Sequence, residues 1–298
     1  MELRHLRYFS VVAKLQHFHK ASEALFITQP ALSNQIKQLE EELGTKLFER
    51  IGRGVKLSES GRYLLESANR VLNEVEYVTE TIQDLEQGTK GTLRIGVLQS
   101  INSLYLRDIV VKFDEEYPNV SLSIRELPND EIERCIVAGE LDLGVGFVLP
   151  NHNNVDSELL FKERWKVVTS QKHEDQLDKI LVGEYRKLKA VMFPENFQTR
   201  KVINQYFKQK GIKFDQITEV NSINSMFDLV ENGNAFTILP EAFSVLKNKQ
   251  QLASRYIDDL PPRQVGILTQ KRNEPKKSIE KFRSLIFQQL HNKDEENE

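Results

Sequence analysis

Five residues at helical spacing, Gln29, Pro30, Ser33, Asn34 and Lys37, carry short polar or cationic groups within "ITQPALSNQIKQLEEELGTKLFER" (27–50). Amides and hydroxyls of this reach can hydrogen-bond base edges or phosphates, a proline can pack on a thymine methyl or a sugar, and an ammonium can neutralise a phosphate. A little further on, Arg50, Arg53 and Lys56 place cations in and around "IGRG". That arrangement suits a hairpin tip on a phosphate backbone or in a narrow minor groove. Residues 1–60 hold nine Lys/Arg against seven Asp/Glu, and the whole chain has a net charge of −3. Placement, and not bulk charge, must therefore carry any attraction to nucleic acid.

The elements around these residues follow from periodicity. Leu3, Leu6, Phe9, Val12 and Ala13 mark one face of a first helix, and Phe18, Ala21, Ala24 and Leu25 mark a short second one. Only "FIT" separates it from a third helix, for which Thr28 is a good N-cap with Pro30 in the first turn. Leu32, Ile36, Leu39 and Leu43 form the core-facing arc of that helix, opposite the polar set, and Gly44 ends it. "KLFER" and "VKL" flank the glycine turn as paired strands. Helix, helix, turn, helix and hairpin make a winged helix-turn-helix over 1–58, so double-stranded DNA is the expected partner.

From Ser58 the sequence stays helix-compatible to Gln87, and Leu64, Ala68, Val71, Val75, Val78, Ile82 and Leu85 repeat at spacings of 4 and 3. This is an a/d seam, and a helix spanning 59–87 cannot cover such a seam alone. A second copy of the chain is implied. "EQGTKG" breaks the helix, which places a hinge at 88–91. Beyond it apolar strand runs alternate with amphipathic helices over 92–290, in two sets. That pattern indicates parallel α/β sheets in two lobes with a cleft between them. The tail "HNKDEENE" (291–298) lacks apolar anchors and reads as disordered.

The text from "LRYFSVVAK" to "KLSESG", with "EEYPNVSLSIRE", "GELDLGVG" and "ILPE" further on, closely resembles the LysR-type transcriptional regulators, and within them the branch of the cyanate and glutamate-synthase regulators. The resemblance implies a homodimer or homotetramer that binds a dyad operator and works with RNA polymerase. It also implies a periplasmic-binding-protein-like domain that takes a small coinducer between its lobes. Many relatives carry arginine where this chain has Asn34, which points to an adenine or phosphate contact there in place of guanine readout.

Ligands of α/β lobes sit beyond the carboxyl ends of strands, where helix N-termini offer free N–H groups. Ser100, Asn102 and Ser103 follow the first such strand, in the segment where the family's effector contacts fall. Leu127, Phe147, Phe197, Gln198 and Thr199 lie at other strand ends. Hydroxyls and amides between aromatic walls suit a small acid. Asn234, in "VENGNAFTILP", departs from the usual small residue and is expected to reshape the cleft rim.

Composition narrows the class. With 39% hydrophobic and 29% charged residues, 298 positions suffice for two or three buried cores. The opening residues lack the order of a signal peptide, no run of about 18 apolar residues occurs, and the single cysteine, Cys135, agrees with a reducing compartment, so a cytoplasmic protein is expected. The six histidines are scattered, and no hydrolase, dinucleotide or phosphate-loop motif occurs. Neither a metal site, a cofactor nor catalysis is expected. A two-lobed solute-binding or enzyme-like protein without a regulatory role is the alternative; the attached winged helix argues against it.

Overall fold

The computed structural model describes residues 1–295 apart from 53, 88–89, 149–154, 186, 246–250 and 272–275, and describes the backbone alone at 83–87, 244–245 and 291–295. The chain forms two compact units, the first built mainly from residues 1–88. In it, α1 (Leu3–Leu15), α2 (Phe18–Ala24) and α3 (Gln29–Leu43) precede a hairpin of β1 (Phe48–Ile51) and β2 (Gly54–Leu57), then α4 (Glu59–Gln87). The hairpin is antiparallel, with Ile51 opposite Gly54. Leu6, Phe9, Val12, Ala21, Leu32, Ile36, Leu39, Leu47 and Ala68 form one core. Fully burying a leucine of this kind is worth about 2 kcal/mol.

Local signals set the boundaries. Thr28 Oγ1 accepts from the Ala31 N–H at 3.4 Å and caps α3, and Gly44 ends it in the left-handed region at φ 67°. Ser58 Oγ accepts from the Gly61 N–H at 3.0 Å and caps α4. Gly61 is needed for a second reason, since a Cβ there would lie 2.2 Å from the Leu47 carbonyl oxygen.

Two expectations about apolar faces need correction. Leu43 is 40% exposed, because it is the last residue of α3 and the buried leucines of the core arc stop one turn earlier at Leu39. In α4, Leu64 and Ala68 pack into the unit's own core, because α4 lies against α1 there. Val71, Val75, Val78 and Ile82 stay 43–52% exposed. Leu85 belongs to α4, but its side chain lies outside the described residues.

The second unit carries two five-stranded sheets. The first has the order β4 (Val120–Glu126), β3 (Gly91–Val97), β5 (Leu143–Phe147), β12 (Arg263–Gln270), β6 (Val155–Glu163). The other has the order β11 (Leu252–Tyr256), β7 (Trp165–Ser170), β10 (Ala235–Pro240), β8 (Lys189–Met192), β9 (Ile217–Glu219). Both are mixed and not parallel: β12 runs antiparallel to β5 and β6, and β7 antiparallel to β10 and β11. Apolar runs report burial on both faces but carry no strand direction. The chain leaves the first lobe after β6 and returns to it with β12.

Helices cover the sheets. α5 (Gln99–Ile101) widens through a π turn (Asn102–Leu106) into α6 (Arg107–Glu116); α7 is Asn129–Val137, α8 Leu177–Val182, α9 Gln198–Gln209 and α10 Ile223–Asn232. The expected disordered tail is corrected over 291–295, since α11 runs Lys277–Glu295; residues 296–298 lie outside the described residues. Ile279, Phe282, Leu285, Ile286 and Leu290 are buried, with the Phe282 ring 5.2 Å from Phe113. A helix anchored so firmly adds its last charged residues at little cost, because propagation follows nucleation cheaply.

Candidate functional site

On α3 the residues opposite the core arc are all outward. Gln29, Pro30, Ser33, Asn34 and Lys37 are exposed, whereas Leu32, Ile36 and Leu39 beneath them are buried. Lys37 is held by Glu41 at 3.3 Å, one turn on, and Lys56 by Glu49 across the hairpin at 3.0 Å. Both pairs are exposed, so each cation can exchange its partner for a phosphate at a cost below about 1 kcal/mol. Arg50 makes no ion pair among the described residues; Arg53 lies outside them. Gln29, Ser33 and Lys37 line one concavity together with Arg50 and Gly52 of the hairpin. Thr28 is not part of that lining; it is exposed and caps α3.

The same concavity holds His17 and His19, which helical spacing alone would not put on one face. Their rings are 6.4 Å apart, because His17 caps α2 instead of lying within it. His17 Nδ1 is buried without a hydrogen-bond partner among the described residues. Glu40 is buried behind them. Its Oε1 accepts the Leu47 N–H at 2.9 Å and its Oε2 accepts Lys46 Nζ at 2.7 Å, which ties the end of α3 to the start of the hairpin.

In the second unit, a cavity of about 210 Å³ opens between the lobes. Ser100, Leu127, Phe147, Phe197, Gln198 and Thr199 line it. Asn102 and Ser103 do not. Two to three residues past Ser100, helical rotation has carried them off the mouth, so Ser103 is exposed and Asn102 donates instead to Glu126 Oε1 at 2.5 Å on the rim. Asn234 also lies elsewhere, exposed, with its Oδ1 3.1 Å from His173 Nε2. It does not shape the rim.

The cavity lining is half apolar, with Phe193 and Phe197 stacked at 5.1 Å and 6°, and half polar, the Glu126 carboxylate included. α9 begins at the wall with Phe197 as its cap and no side-chain acceptor, and α5 begins with Leu98 in the same condition. First-turn N–H groups of both helices therefore lack intrahelical partners. Asn129, 1% exposed, holds the wall in place: its Oδ1 accepts the Phe147 N–H at 2.7 Å and its Nδ2 donates to Glu133 Oε1 at 2.6 Å. Asn129, Phe193 and Asn221 line the cavity without having been singled out from sequence. "LPND" before α7 was a capping signal that could have flagged Asn129.

Residues 3–62 match the bacterial regulatory helix-turn-helix protein family of LysR type, and residues 86–291 match the LysR substrate binding domain. The chain belongs to the LysR family of transcriptional regulators. It is 30% identical over 292 residues to the transcriptional dual regulator GltC of Bacillus subtilis, covering 97% of both chains. The HTH-type transcriptional regulator BenM of Acinetobacter baylyi is 30% identical over 247 residues, 80% of each chain. The fold matches that of full-length CbnR in complex with its target DNA, with a TM-score of 0.67 at 20% identity over 98% of this chain and 99% of that one. This LysR-type regulator thus joins a DNA-binding winged helix-turn-helix to a two-lobed effector-binding domain. Its relatives are regulators and not enzymes. Among the described residues no group of His, Cys, Asp and Glu could hold a metal ion, and no helix is long and apolar enough to cross a membrane.

Proposed function

We propose that this regulator acts in the cytoplasm as a dimer or tetramer that binds an imperfect dyad and answers to a small carboxylic acid held between its lobes. Gln29, Ser33 and Asn34 read base edges in the major groove, Pro30 packs on a thymine methyl or sugar, and Thr28 and Lys37 meet phosphate. Arg50, Arg53 and Lys56 of the wing hold the backbone or the adjacent minor groove. The exposed face of Val71, Val75, Val78 and Ile82 receives the same face of a second copy, as the heptad spacing requires. Bound next to a promoter, the assembly meets RNA polymerase.

The acid is supported by one observation: two helix starts without side-chain caps, Gln99–Ser100 and Gln198–Thr199, line a single cavity whose one carboxylate, Glu126, is engaged by Asn102. Unpaired N–H groups at helix N-termini favour a carboxylate over a neutral ligand. The ligand acts by favouring one arrangement of the lobes, which requires different affinity for the two arrangements. Footprinting on the DNA upstream of its own gene and any divergent neighbour, repeated across a panel of small acids, tests this. One acid is expected to shift the protected boundaries. An acid that binds the cavity and leaves footprint and transcription unchanged refutes the coupling.

A further inference from the structure

Behind the cavity wall lies a buried ion pair that neither the groove face nor the cavity lining uses. Arg263 opens β12 and Glu163 closes β6, with side chains 1% and 4% exposed. Arg263 Nε donates to Glu163 Oε2 at 2.5 Å, and Nη2 lies against the same oxygen off the hydrogen-bond line. Glu163 Oε1 accepts the Ala242 N–H at 2.7 Å, so the carboxylate is itself fixed. The remaining arm of the guanidinium, Nη1, donates to Ser100 Oγ at 3.1 Å.

Arginine carries only donors, and its planar fork cannot turn once two of its edges are engaged. Ser100 Oγ is therefore obliged to accept on the side facing Arg263, and its own proton must go elsewhere. Among the described residues that proton meets no acceptor, and Ser100 lines the cavity. Arg263 does not line it; its guanidinium sits 5.7 Å from the ring of Phe147, which does.

We infer that Arg263 is a positioning residue that fixes Ser100 as a hydrogen-bond donor into the cavity, so that this wall selects a ligand presenting an acceptor oxygen, carboxylate or carbonyl. The inference rests on the reading of the cavity as an acid-binding site. The charges of Arg263 and Glu163 cancel, so the pair selects by the direction of one O–H and not by net charge. Glu163 has a distinct part. It compensates a guanidinium that could not otherwise be buried beside an apolar wall, because an unpaired buried charge is strongly destabilising.

A double-mutant cycle on the full-length protein tests this. Acetate, malonate, succinate, benzoate and salicylate are screened by thermal shift, and the dissociation constant of the best binder is measured calorimetrically. The proteins are wild type, Ser100→Ala, Arg263→Lys and the double variant. Lysine keeps a charge opposite Glu163 but lacks the fork that reaches Ser100. Each single change is expected to weaken binding about tenfold, the scale of one hydrogen bond, and the double variant to bind no more weakly than Ser100→Ala alone. If Arg263→Lys costs as much in the Ser100→Ala background as in wild type, Arg263 acts through general structure and the inference is overturned. Where Arg263→Lys does not fold, the neutral pair Arg263→Gln with Glu163→Gln takes its place in the cycle, with the same two outcomes. Failure of every acid to bind wild type overturns the acid-binding reading and the inference with it; binding with additive losses overturns the inference alone.

Discussion

Glu40 offers a direct test of how the groove face and wing are held to one another. It is 9% exposed in the last turn of α3, where the helix dipole disfavours a carboxylate, so local hydrogen bonds must hold it there. Leu47, whose N–H it accepts, is 1% exposed, and water cannot take over that bond. Glu40→Ala strands a buried N–H, costing about 1–3 kcal/mol. It also loses the pair to Lys46, worth less than about 1 kcal/mol because Lys46 is 74% exposed. The sum is about 1–4 kcal/mol. Glu40→Gln leaves a carbonyl oxygen for the Leu47 N–H and is expected to cost about 1 kcal/mol. For a unit of this size the alanine variant should lower the first thermal transition by on the order of 10 °C. Circular dichroism of the full chain reads that shift, and hydrogen exchange at the Leu47 amide reads the bond itself. β1 begins and β2 ends beside this bond, so the alanine variant should also weaken DNA binding to all sequences while the glutamine variant keeps it. Equal stabilities for the two variants, within about 0.5 kcal/mol, or an equally protected Leu47 amide, would show that Glu40 does not fix the wing.

Other expectations are independent of that bond. Phe26 is 95% exposed and held at φ 55°, so Phe26→Asn should raise stability by about 1 kcal/mol in urea unfolding; a lower midpoint would reveal packing by the ring. Burial and the hydrogen bond to Asp259 push the Tyr206 phenol well above the ordinary tyrosine range. The folded state thus keeps a proton that the unfolded chain loses near pH 10, and stability falls as pH rises past that value. Tyr206→Phe should flatten this alkaline decline, and an unchanged slope between pH 9 and 11 would contradict it. In sedimentation velocity the wild type should run as the proposed dimer or tetramer, and Val75→Lys, on the exposed seam of α4, should lower that mass; an unchanged mass would remove the seam from the interface.

The first unit was legible in the sequence because its signals are local. A cap at Thr28, the Leu32–Ile36–Leu39 arc and glycines near the turn each fix structure within a few residues. What escaped depended on residues far apart. Glu40 counts in a sequence as one more acidic side chain until Leu47 is folded back onto it, and His17 looks unrelated to the groove until α2 turns it there. In the second unit, strand runs such as 143–147 were plain because both their faces are buried. β6 carries a weaker signal because polar residues interrupt its apolar run, and the charged end of α11 takes its helical state from Ile279, Phe282 and Leu285 before it. Ser100 was reachable from topology. Arg263 was not, since 163 positions separate it from the hydroxyl it holds.

The order of strands in the first lobe also governs how the protein is made. β12, residues 263–270, lies between β5 and β6, so the middle of that sheet is empty until nearly the whole chain has left the ribosome. The first unit, built mainly from residues 1–88, can fold long before. Every new molecule therefore passes through a period in which it owns a finished DNA-binding head and an unfinished sensor. A message truncated before codon 263 would leave that condition permanent, releasing a head able to occupy operators with no means of hearing a ligand.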